Sequence, residues 1–273
     1  MSQQLWWWWH SLVAISLFNA LAWGYASARL RAVRLQSPAV VLGASRWQLW
    51  LSAAYVTGCA YRSFFPVFDV PRLCLVDGAW SSVVVGRSVA TVAELCFAFQ
   101  WALLARAVAE YSGSRALAQV ARVLPFLIVV AEVSSWYAVL TQANIGHVLE
   151  ESLWACGAAW LSVTLLGNGH RLPVTLQAVC RLVSLVGLSY AVYLVAIDVP
   201  MYWDRWVAQE ASGHVYLGLE QGLWDIAHNW RVSLSWEDWR SEVVWMSLYF
   251  SVGVWCSIGL VHLHHRLTPA PLR

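Results

Sequence analysis

The chain has 273 residues and contains no lysine, so arginine is its only strongly basic side chain. A retinal Schiff base and a lysine nucleophile are therefore excluded, because each requires a lysine amine. Charged residues are also scarce, at 12% of the chain, against about 25% in a typical soluble domain. Since 60% of the residues are hydrophobic, we expect one polytopic membrane domain that covers residues 1–273.

Other absences exclude further classes of site. The net charge is only +2, and no basic patch indicates nucleic-acid binding. The six cysteines form no C-x-x-C pair, and no histidine lies in the middle of an apolar segment, where a transmembrane haem would need facing histidines. Cys59 and Cys74 fall toward one membrane face and could form a disulfide if that face is oxidising.

Tryptophan is the residue that the chain has in excess, with 20 copies. It concentrates at membrane interfaces, where its ring is buried and its N–H stays hydrated. The run Trp6–Trp9 therefore predicts an aromatic belt at the start of a first transmembrane helix. We expect most of the other tryptophans to be anchors of the same kind and the rest to line a cavity.

Seven apolar segments approach or exceed the ~20 residues that a helix needs to cross a bilayer. They cover residues 7–26, 47–65, 79–104, 123–141, 147–167, 174–199 and 243–262. The sequence therefore predicts an all-α membrane protein built as a seven-transmembrane-helix bundle.

The distribution of arginine predicts the orientation of this bundle. Most loop arginines follow the first, third and fifth spans or lie in the C-terminal tail, whereas most loop acids follow the second, fourth and sixth spans. Because cytoplasmic loops are enriched in basic residues, we expect an extracytoplasmic N-terminus and a cytoplasmic C-terminus. The expected location is a bacterial cytoplasmic (inner) membrane.

The polar segment 201–241, between the sixth and seventh spans, is then extracytoplasmic. Within it Leu219, Leu223, Ile226 and Trp230 recur at helical spacing. This pattern predicts an amphipathic helix that lies on the membrane or caps the bundle.

The third span carries charges in its middle. Arg87, Thr91 and Glu94 are spaced i, i+4 and i+7, so they share one helix face. Arg87 and Glu94 are about 10 Å apart along the axis, and we expect each of them to find partners on other helices. The structural alternative is that Glu94 pairs with Arg87 or Arg181 and only fixes packing.

A second acid, Glu132, lies near the centre of the fourth span. Charges at membrane depth are costly and usually face a protein interior or a water-filled cavity. Two carboxylates at this depth are not both ionised and unpaired, so we expect Glu94 and Glu132 to act as an acid–base pair or as a proton carrier. Arg87 would hold an anionic group or balance these carboxylates.

His147, Glu150 and Glu151 open the fifth span on one helix face. Such a turn can supply two metal ligands, or a base with its orienting carboxylate. The alternative is plain acidic charge at a helix start, which the helix dipole favours. A divalent metal is the one cofactor that the sequence indicates, and its candidate ligands are Glu94, Glu132, His147, Glu150 and Glu151.

The first functional hypothesis is a membrane-embedded enzyme with its site in the outer half of the bundle. Its candidate catalytic residues are Arg87, Glu94, Glu132 and His147. A tryptophan-rich cavity suits an apolar molecule with a polar head, so the substrate is expected to be lipid-soluble and the chemistry acid–base or metal-assisted. The predicted substrate-binding residues are Arg62, Thr91, Trp136, Asp198 and Tyr202.

Two other functions fit the same residues. A small proton-coupled transporter or ion pathway would use the two central acids and Arg87 as its relay, with Gln177, Arg181 and Ser184 on span six as a path to the cytoplasm. An accessory or assembly subunit would instead turn its polar faces outward, toward a partner's helices. The expected partners are membrane lipid and a lipid-soluble small molecule or a proton, with no nucleic acid.

Overall fold

The computed structural model describes the backbone of residues 1–34 and 42–267, and the side chains of residues 1–31 and 46–263. As the composition predicts, the described part is mainly α-helical. Its α-helices are α1 (Gln3–Arg34), α2 (Leu42–Phe64), α3 (Val83–Ser112), α4 (Arg115–Thr141), α5 (Ile145–Asn168), α6 (Val174–Tyr193), α7 (Val199–Ala211), α8 (Leu219–His228), α9 (Trp236–Leu248) and α10 (Val254–Leu267). The end of the tail used in the orientation argument, from residue 268, lies outside the described residues.

Within the described residues, the helical segments long and apolar enough to cross a membrane number five. They are Gln3–Arg31, Val83–Ser112, Arg115–Thr141, Val174–Ala211 and Trp236–Leu263. These segments support a multi-pass membrane protein. The other two predicted spans correspond to α2 and α5, which fall outside this group, so the count of seven and the orientation stay predictions.

The helix that contains the predicted sixth span extends beyond it. A π-helical turn at Leu194–Asp198 joins α6 to α7, so the helix continues through Pro200 to Ala211. Pro200 lies directly after the π-helical turn, and a local π-helical adjustment is one way in which a continuous helix accommodates the missing N–H of a proline.

The helix that contains the last predicted span also begins before it. The helix begins at Trp236 rather than near Val243, with Ser235 at its N-cap and Glu237 and Asp238 in its first turn. Acidic side chains are favoured there by the helix dipole. A second π-helical turn, Tyr249–Gly253, joins α9 to α10.

The loop predicted after α2 contains a small sheet that the sequence pattern did not reveal. Strand β1 (Val67–Phe68) pairs antiparallel with β2 (Leu73–Cys74), and β2 pairs in parallel with β3 (Arg231–Val232). The strands have two residues each, which is too short for an alternating pattern to be recognised. The sheet ties the loop after α2 to the segment between α8 and α9.

The chain divides into two compact units. The first unit contains Met1–Gln100 and Leu223–Arg273, and the second contains Trp101–Gly222. Each unit is described by itself below.

In the first unit, α2 packs against α1, α3 and α10. Gly58 allows the close approach of α2 to α3, because a Cβ at this position would lie 2.8 Å from the Cβ of Ala93. The apolar core includes Leu5 on α1, Tyr55 on α2 and Phe250 on the π-helical turn. Where such side chains are removed from water and not from lipid, their burial is the main favourable contribution to the stability of the unit.

A fully buried polar network joins three helices of the first unit. Gln100 of α3 donates from Nε2 to Gln48 Oε1 on α2 at 3.0 Å, and Ser257 of α10 donates to Gln100 Oε1 at 2.6 Å. Ser52 of α2 lies 3.0 Å from the Ser257 hydroxyl. Since Ser257 has one hydroxyl proton, Ser52 supplies the proton of this last bond. The network fixes the register of α2, α3 and α10.

In the second unit, α5 is the central helix and packs against α4, α6 and α7. Gly146, near its start, lies against α4, where an added Cβ would be 2.5 Å from the Ser134 carbonyl oxygen. Gln209 of α7 fastens the link between α4 and α5, accepting from Asn144 N at 3.1 Å and donating to Gln142 O at 2.7 Å. These contacts set the position of the first turns of α5.

We expect Gly146→Ala to lower the free energy of unfolding by roughly 1–3 kcal/mol, because the added methyl group meets backbone atoms that cannot yield easily. The matched control is Gly167→Ala in the same helix, where nothing lies within 4 Å of the added Cβ. The control should be neutral or stabilising by up to about 1 kcal/mol, because alanine favours a helix over glycine. Unfolding in mixed detergent, followed by tryptophan fluorescence, measures both. Equal stability of the two variants would contradict the close α4–α5 contact.

Candidate functional site

In the first unit, the charged residues of α3 contact each other directly. Arg87 Nη2 donates to Glu94 Oε2 at 3.1 Å, and both side chains are buried. The direct pairing that was given as the structural alternative therefore forms, and it does so beside the expected contact of Glu94 with another helical segment. The long arginine side chain runs along the helix face and covers two turns, a reach that a Cα-based separation of about 10 Å overlooks. Thr91, half-buried, lies between them on the same face.

Two further side chains complete this group. Asp69, just after β1, places Oδ2 3.8 Å from Arg87 Nη1. Tyr249 donates its hydroxyl hydrogen to Glu94 Oε1 at 3.1 Å. We call Asp69, Arg87, Glu94 and Tyr249 the arginine cluster. It links the loop after α2 to the middle of α3 through ionisable groups, which are the groups that can hold or move a proton.

Tyr249 was missed by the sequence reasoning because a tyrosine within an apolar span gives no periodic signal. It lies at the start of the π-helical turn, a feature that often accompanies functional sites. Its ring stacks on Trp245 with 5.1 Å between centroids and meets Tyr55 edge-on at 5.6 Å. Gly253 leaves room for Tyr55, because an added Cβ would lie 2.6 Å from the Tyr55 hydroxyl oxygen.

The predicted outer polar groups of the first unit are mostly buried rather than solvated. Arg62, in the last turn of α2, donates from Nη2 to the Val67 carbonyl oxygen at 3.1 Å. Arg72 pairs through Nε with Asp225 of α8 at 2.5 Å. Burial lowers the pKa of Arg72, while the carboxylates of Asp225 and Asp69 oppose this shift. Asp225 thus joins α8 to the loop after α2.

Both cysteines proposed for a disulfide are free and buried. Burial, with a smaller effect of the Asp77 carboxylate, raises the pKa of Cys74 to about 11. The Cys74 thiol is therefore protonated and unreactive at neutral pH. His228, three residues after Asp225 on α8, is exposed and contacts the Trp224 carbonyl oxygen at 2.8 Å.

In the second unit, the predicted acid–histidine turn forms. His147 Nδ1 lies 2.8 Å from Glu150 Oε2, and both residues are buried. Since α5 begins at Ile145 and has no acid in its first turn, the helix dipole does not explain the acids at 150 and 151, because its effect falls off beyond that turn. Glu151, the next residue in the sequence, is also buried. This geometry favours the interpretation of a base with its orienting carboxylate.

Glu132 of α4 belongs to the same group. One of its carboxylate oxygens lies within 4.8 Å of one from Glu150. We call Glu132, His147 and Glu150 the histidine cluster. Two buried carboxylates at this separation are stabilised by a shared proton or by a bound cation. A divalent cation with oxygen ligands at about 2.0–2.6 Å would fit between them, so this pair is the part of the predicted ligand set that could bridge a metal in the second unit.

Three of the predicted substrate-binding residues belong to the second unit, namely Trp136, Asp198 and Tyr202. The Tyr202 ring lies 4.8 Å from the His147 ring, and the Arg205 guanidinium lies 5.3 Å from the Tyr202 ring centroid. Asp198 is buried on the first π-helical turn, and Trp136 of α4 is half-buried. Tyr202 is thus the predicted substrate residue that contacts the histidine cluster.

The residues of the proposed cytoplasmic path on α6 differ in exposure. Arg181 is exposed, Ser184 is fully buried, and Gln177 donates to the Leu172 carbonyl oxygen at 2.8 Å. Gln177 thus closes the turn before α6, and the path itself stays a prediction. The alternative pairing of Glu94 with Arg87 is the one that the structure contains.

The candidate residues are divided between the units. Arg62, Arg87 and Glu94 belong to the first, whereas Glu132 and His147 belong to the second. Their convergence on one site stays a prediction, as does a metal ligand set that uses residues of both units.

Comparison with known proteins gives no relative. No protein-family model matches the chain, and searches of curated proteins and of solved structures found no match.

The Arg87–Glu94 pair generates a stability prediction. Removing either partner alone, in Arg87→Gln or Glu94→Gln, leaves a buried charge uncompensated and should cost about 3–5 kcal/mol of unfolding free energy. The double variant should cost less than the sum of the single variants, which gives a coupling energy above about 1 kcal/mol.

The control is the exposed Arg106–Glu110 pair on the same helix, with its atoms 2.9 Å apart. An exposed pair four residues apart contributes about 0.3–0.5 kcal/mol. Unfolding titrations of both cycles in one detergent measure the difference. Similar coupling energies for the two pairs would show that the Arg87–Glu94 contact is not a buried ion pair.

Proposed function

We propose that the protein is a membrane-embedded enzyme that acts on a lipid-soluble substrate by acid–base chemistry. It would cross a bacterial inner membrane seven times, with its N-terminus outside and its C-terminus in the cytoplasm. The observation that carries the proposal is the buried bond between His147 Nδ1 and Glu150 Oε2, with Glu132 next to it. Each of these residues was expected from the sequence to be functional.

The role of His147 follows from its bond to Glu150. An ionised carboxylate only accepts hydrogen bonds, so the bond assigns the imidazole proton to Nδ1. Nε2 is then left as the acceptor that removes a proton from a substrate. Glu150 acts as a positioning residue that fixes the tautomer and stabilises the imidazolium that forms, in the same way as the carboxylate of a catalytic triad.

Glu132 supplies the second protonation site. Its carboxylate oxygen lies within 4.8 Å of one of Glu150, so a proton held by this pair is available for return to the substrate. If a divalent cation occupies the same position, it would stabilise the charge that develops on the substrate in place of the shared proton. Glu132 and Glu150 would then hold the cation in a metal-assisted form of the same reaction.

The surroundings of the histidine cluster suit a substrate from the lipid phase. Tyr202 covers one side of His147 and carries a hydroxyl for a polar head group, with Arg205 beyond it. The half-buried Trp136 offers apolar surface on α4. Asp198 is held by a hydrogen bond to Tyr193 and lies near Arg205. These groups are the proposed substrate contacts in the second unit.

Activity can be sought without knowing the substrate. Purified protein is incubated in nanodiscs made from a bacterial lipid extract, and the lipids are compared by mass spectrometry before and after incubation. Wild-type protein should convert at least one component. His147→Gln, Glu150→Gln and Glu132→Gln should slow this conversion by about 10²–10⁴-fold, because they remove a general base, its orienting group or the acid.

The control is Glu110→Gln, an exposed acid in the same unit, which should keep full activity. Metal analysis of the same samples separates the two forms of the chemistry: a stoichiometric metal that is lost in Glu132→Gln and Glu150→Gln indicates metal assistance. Identical lipid profiles in wild-type, His147→Gln and Glu150→Gln protein, including a profile in which nothing changes, would reject the enzyme.

A second candidate function, proton transfer, rests on the arginine cluster of the first unit. Asp69, Arg87, Glu94 and Tyr249 form a buried series of contacts at 3.8, 3.1 and 3.1 Å. Glu94 can gain and lose a proton, and Tyr249, which donates to it, can exchange a proton with it, whereas Arg87 stays protonated and stabilises the ionised form of Glu94. This arrangement is the one expected of the proton-coupled transporter or ion pathway.

Proteoliposomes that contain a pH-sensitive dye test this candidate. An imposed pH gradient should decay faster with wild-type protein than with empty vesicles, and Glu94→Gln and Tyr249→Phe should remove at least about 90% of the difference, because each removes one of the two groups that exchange the proton. Glu110→Gln, on the exposed part of the same helix, should behave as wild type. Decay in Glu94→Gln vesicles at the wild-type rate would exclude Glu94 as a proton carrier.

The accessory-subunit interpretation is less well supported. It expects polar faces turned outward, yet Glu94, Glu132, Glu150 and Glu151 are all buried within the chain. Acids that already have partners in the same chain do not need a second protein to satisfy them.

A further inference from the structure

Arg62 is unusual among the buried arginines of the first unit. Only 3% of it is exposed, and of its guanidinium nitrogens Nη2 alone donates to the protein, to Val67 O at 3.1 Å. Among the described residues, Nε and Nη1 have no hydrogen-bond partner. The guanidinium lies 5.8 Å from the centre of the Trp245 ring. A buried guanidinium with unused donors is costly unless something accepts from them.

The neighbouring buried arginines also have guanidinium nitrogens without a hydrogen-bond partner, but each of them has a carboxylate as its ion-pair partner. Arg87 has Glu94 at 3.1 Å, and Arg72 has Asp225. In the described part of the chain, no carboxylate lies within 4.0 Å of the Arg62 guanidinium. Among the buried arginines of the described residues in the first unit, Arg62 therefore has no ion-pair partner, and a buried charge of this kind calls for a counter-charge from elsewhere.

The titratable groups that face Arg62 do not supply that counter-charge. They include the Cys59 thiol from α2 and the Tyr249 hydroxyl from the π-helical turn, with the Glu94 carboxylate engaged by Arg87 and Tyr249. Thiol and phenol groups are ordinarily neutral at pH 7. Their hydroxyl and thiol dipoles can orient around a bound anion without balancing the arginine charge.

We propose that Arg62 binds the anionic head, a carboxylate or a phosphate, of a lipid-soluble molecule in the first unit. The planar guanidinium matches these groups because its N–H donors can engage two of their oxygens together. Phe64, in the last turn of the same helix, exposes 37% of its surface, so apolar surface for a tail is present at this end of α2. The site is independent of the acid–base chemistry proposed for the second unit.

The test uses delipidated full-length protein in a neutral maltoside detergent and measures Tm from tryptophan fluorescence. The probes are decanoate, dioctanoyl phosphatidate and inorganic phosphate, with decanol and dioctanoylglycerol as uncharged controls. An anionic amphiphile at about a hundred times its Kd should raise Tm by roughly 5 °C. The uncharged controls should give no comparable rise, and inorganic phosphate should act only at much higher concentration because it lacks the tail.

Variants assign the effect to Arg62. Arg62→Gln should abolish the rise in Tm. Arg62→Lys should retain the rise with at least about tenfold weaker affinity, because a lysine keeps the positive charge but lacks the planar guanidinium that donates to two oxygens together. Arg240→Gln, which removes an exposed arginine in the same unit, should respond as wild type. An equal rise in Arg62→Gln and wild-type protein would overturn the proposal.

Native mass spectrometry of the wild-type protein keeps the proposal testable if Arg62→Gln fails to fold. The delipidated wild type should take up one decanoate or phosphatidate saturably, and Arg62→Lys should show the weaker uptake. Saturation by inorganic phosphate at the same concentration as phosphatidate would overturn the lipid-soluble ligand, and no saturable uptake of any anion would overturn the site itself.

Discussion

The cost of burying charge in apolar helices is the constraint on which this structure depends. Arg87 and Glu94 lie in an apolar helix that is long enough to cross a membrane, and both are buried. Their contact at 3.1 Å, with Asp69 and Tyr249 next to it, gives each ionisable group a partner. The loop after α2 and the π-helical turn at Tyr249–Gly253 are positioned by what this pair requires, because an isolated buried charge would be far less stable.

The second unit meets the same constraint with a histidine. Glu150 accepts from His147, and Glu132 lies close enough to share a proton or a cation with Glu150. The central position of α5 brings residues of α4 and α7 to this turn, and Gly146 makes the close approach of α4 possible. In both units a π-helical turn carries a polar residue, Asp198 in one and Tyr249 in the other. Such turns shift the side chains of a helix out of its regular register, so a polar group can face inward where the regular helix would place an apolar one.

Arg62 shows how the same constraint can point to a ligand. Arg72 and Arg87 are matched by acids of the chain, whereas Arg62 has a carbonyl oxygen and an aromatic ring near it. The Trp245 ring attracts the Arg62 cation only weakly. The missing counter-charge of Arg62 is therefore the strongest indication in the first unit of a bound anionic ligand. The acid–base chemistry and the anion site involve different residues, so neither proposal requires the other.

The sequence by itself determined the helical, apolar character of the chain and most of the ionisable residues worth naming. Hydropathy and helical period depend on near neighbours, so Arg87, Glu94, Glu132 and the His147–Glu150 turn could be found without a structure. Only the tertiary structure decided that Arg87 reaches Glu94 on its own helix and that Tyr249 donates to Glu94. It also revealed the pairing of β2 with β3 and, among the residues that the structure describes, the lack of a carboxylate within 4.0 Å of Arg62. The physical reason is that side-chain reach, strands of two residues and contacts between distant segments leave no periodic trace in a sequence.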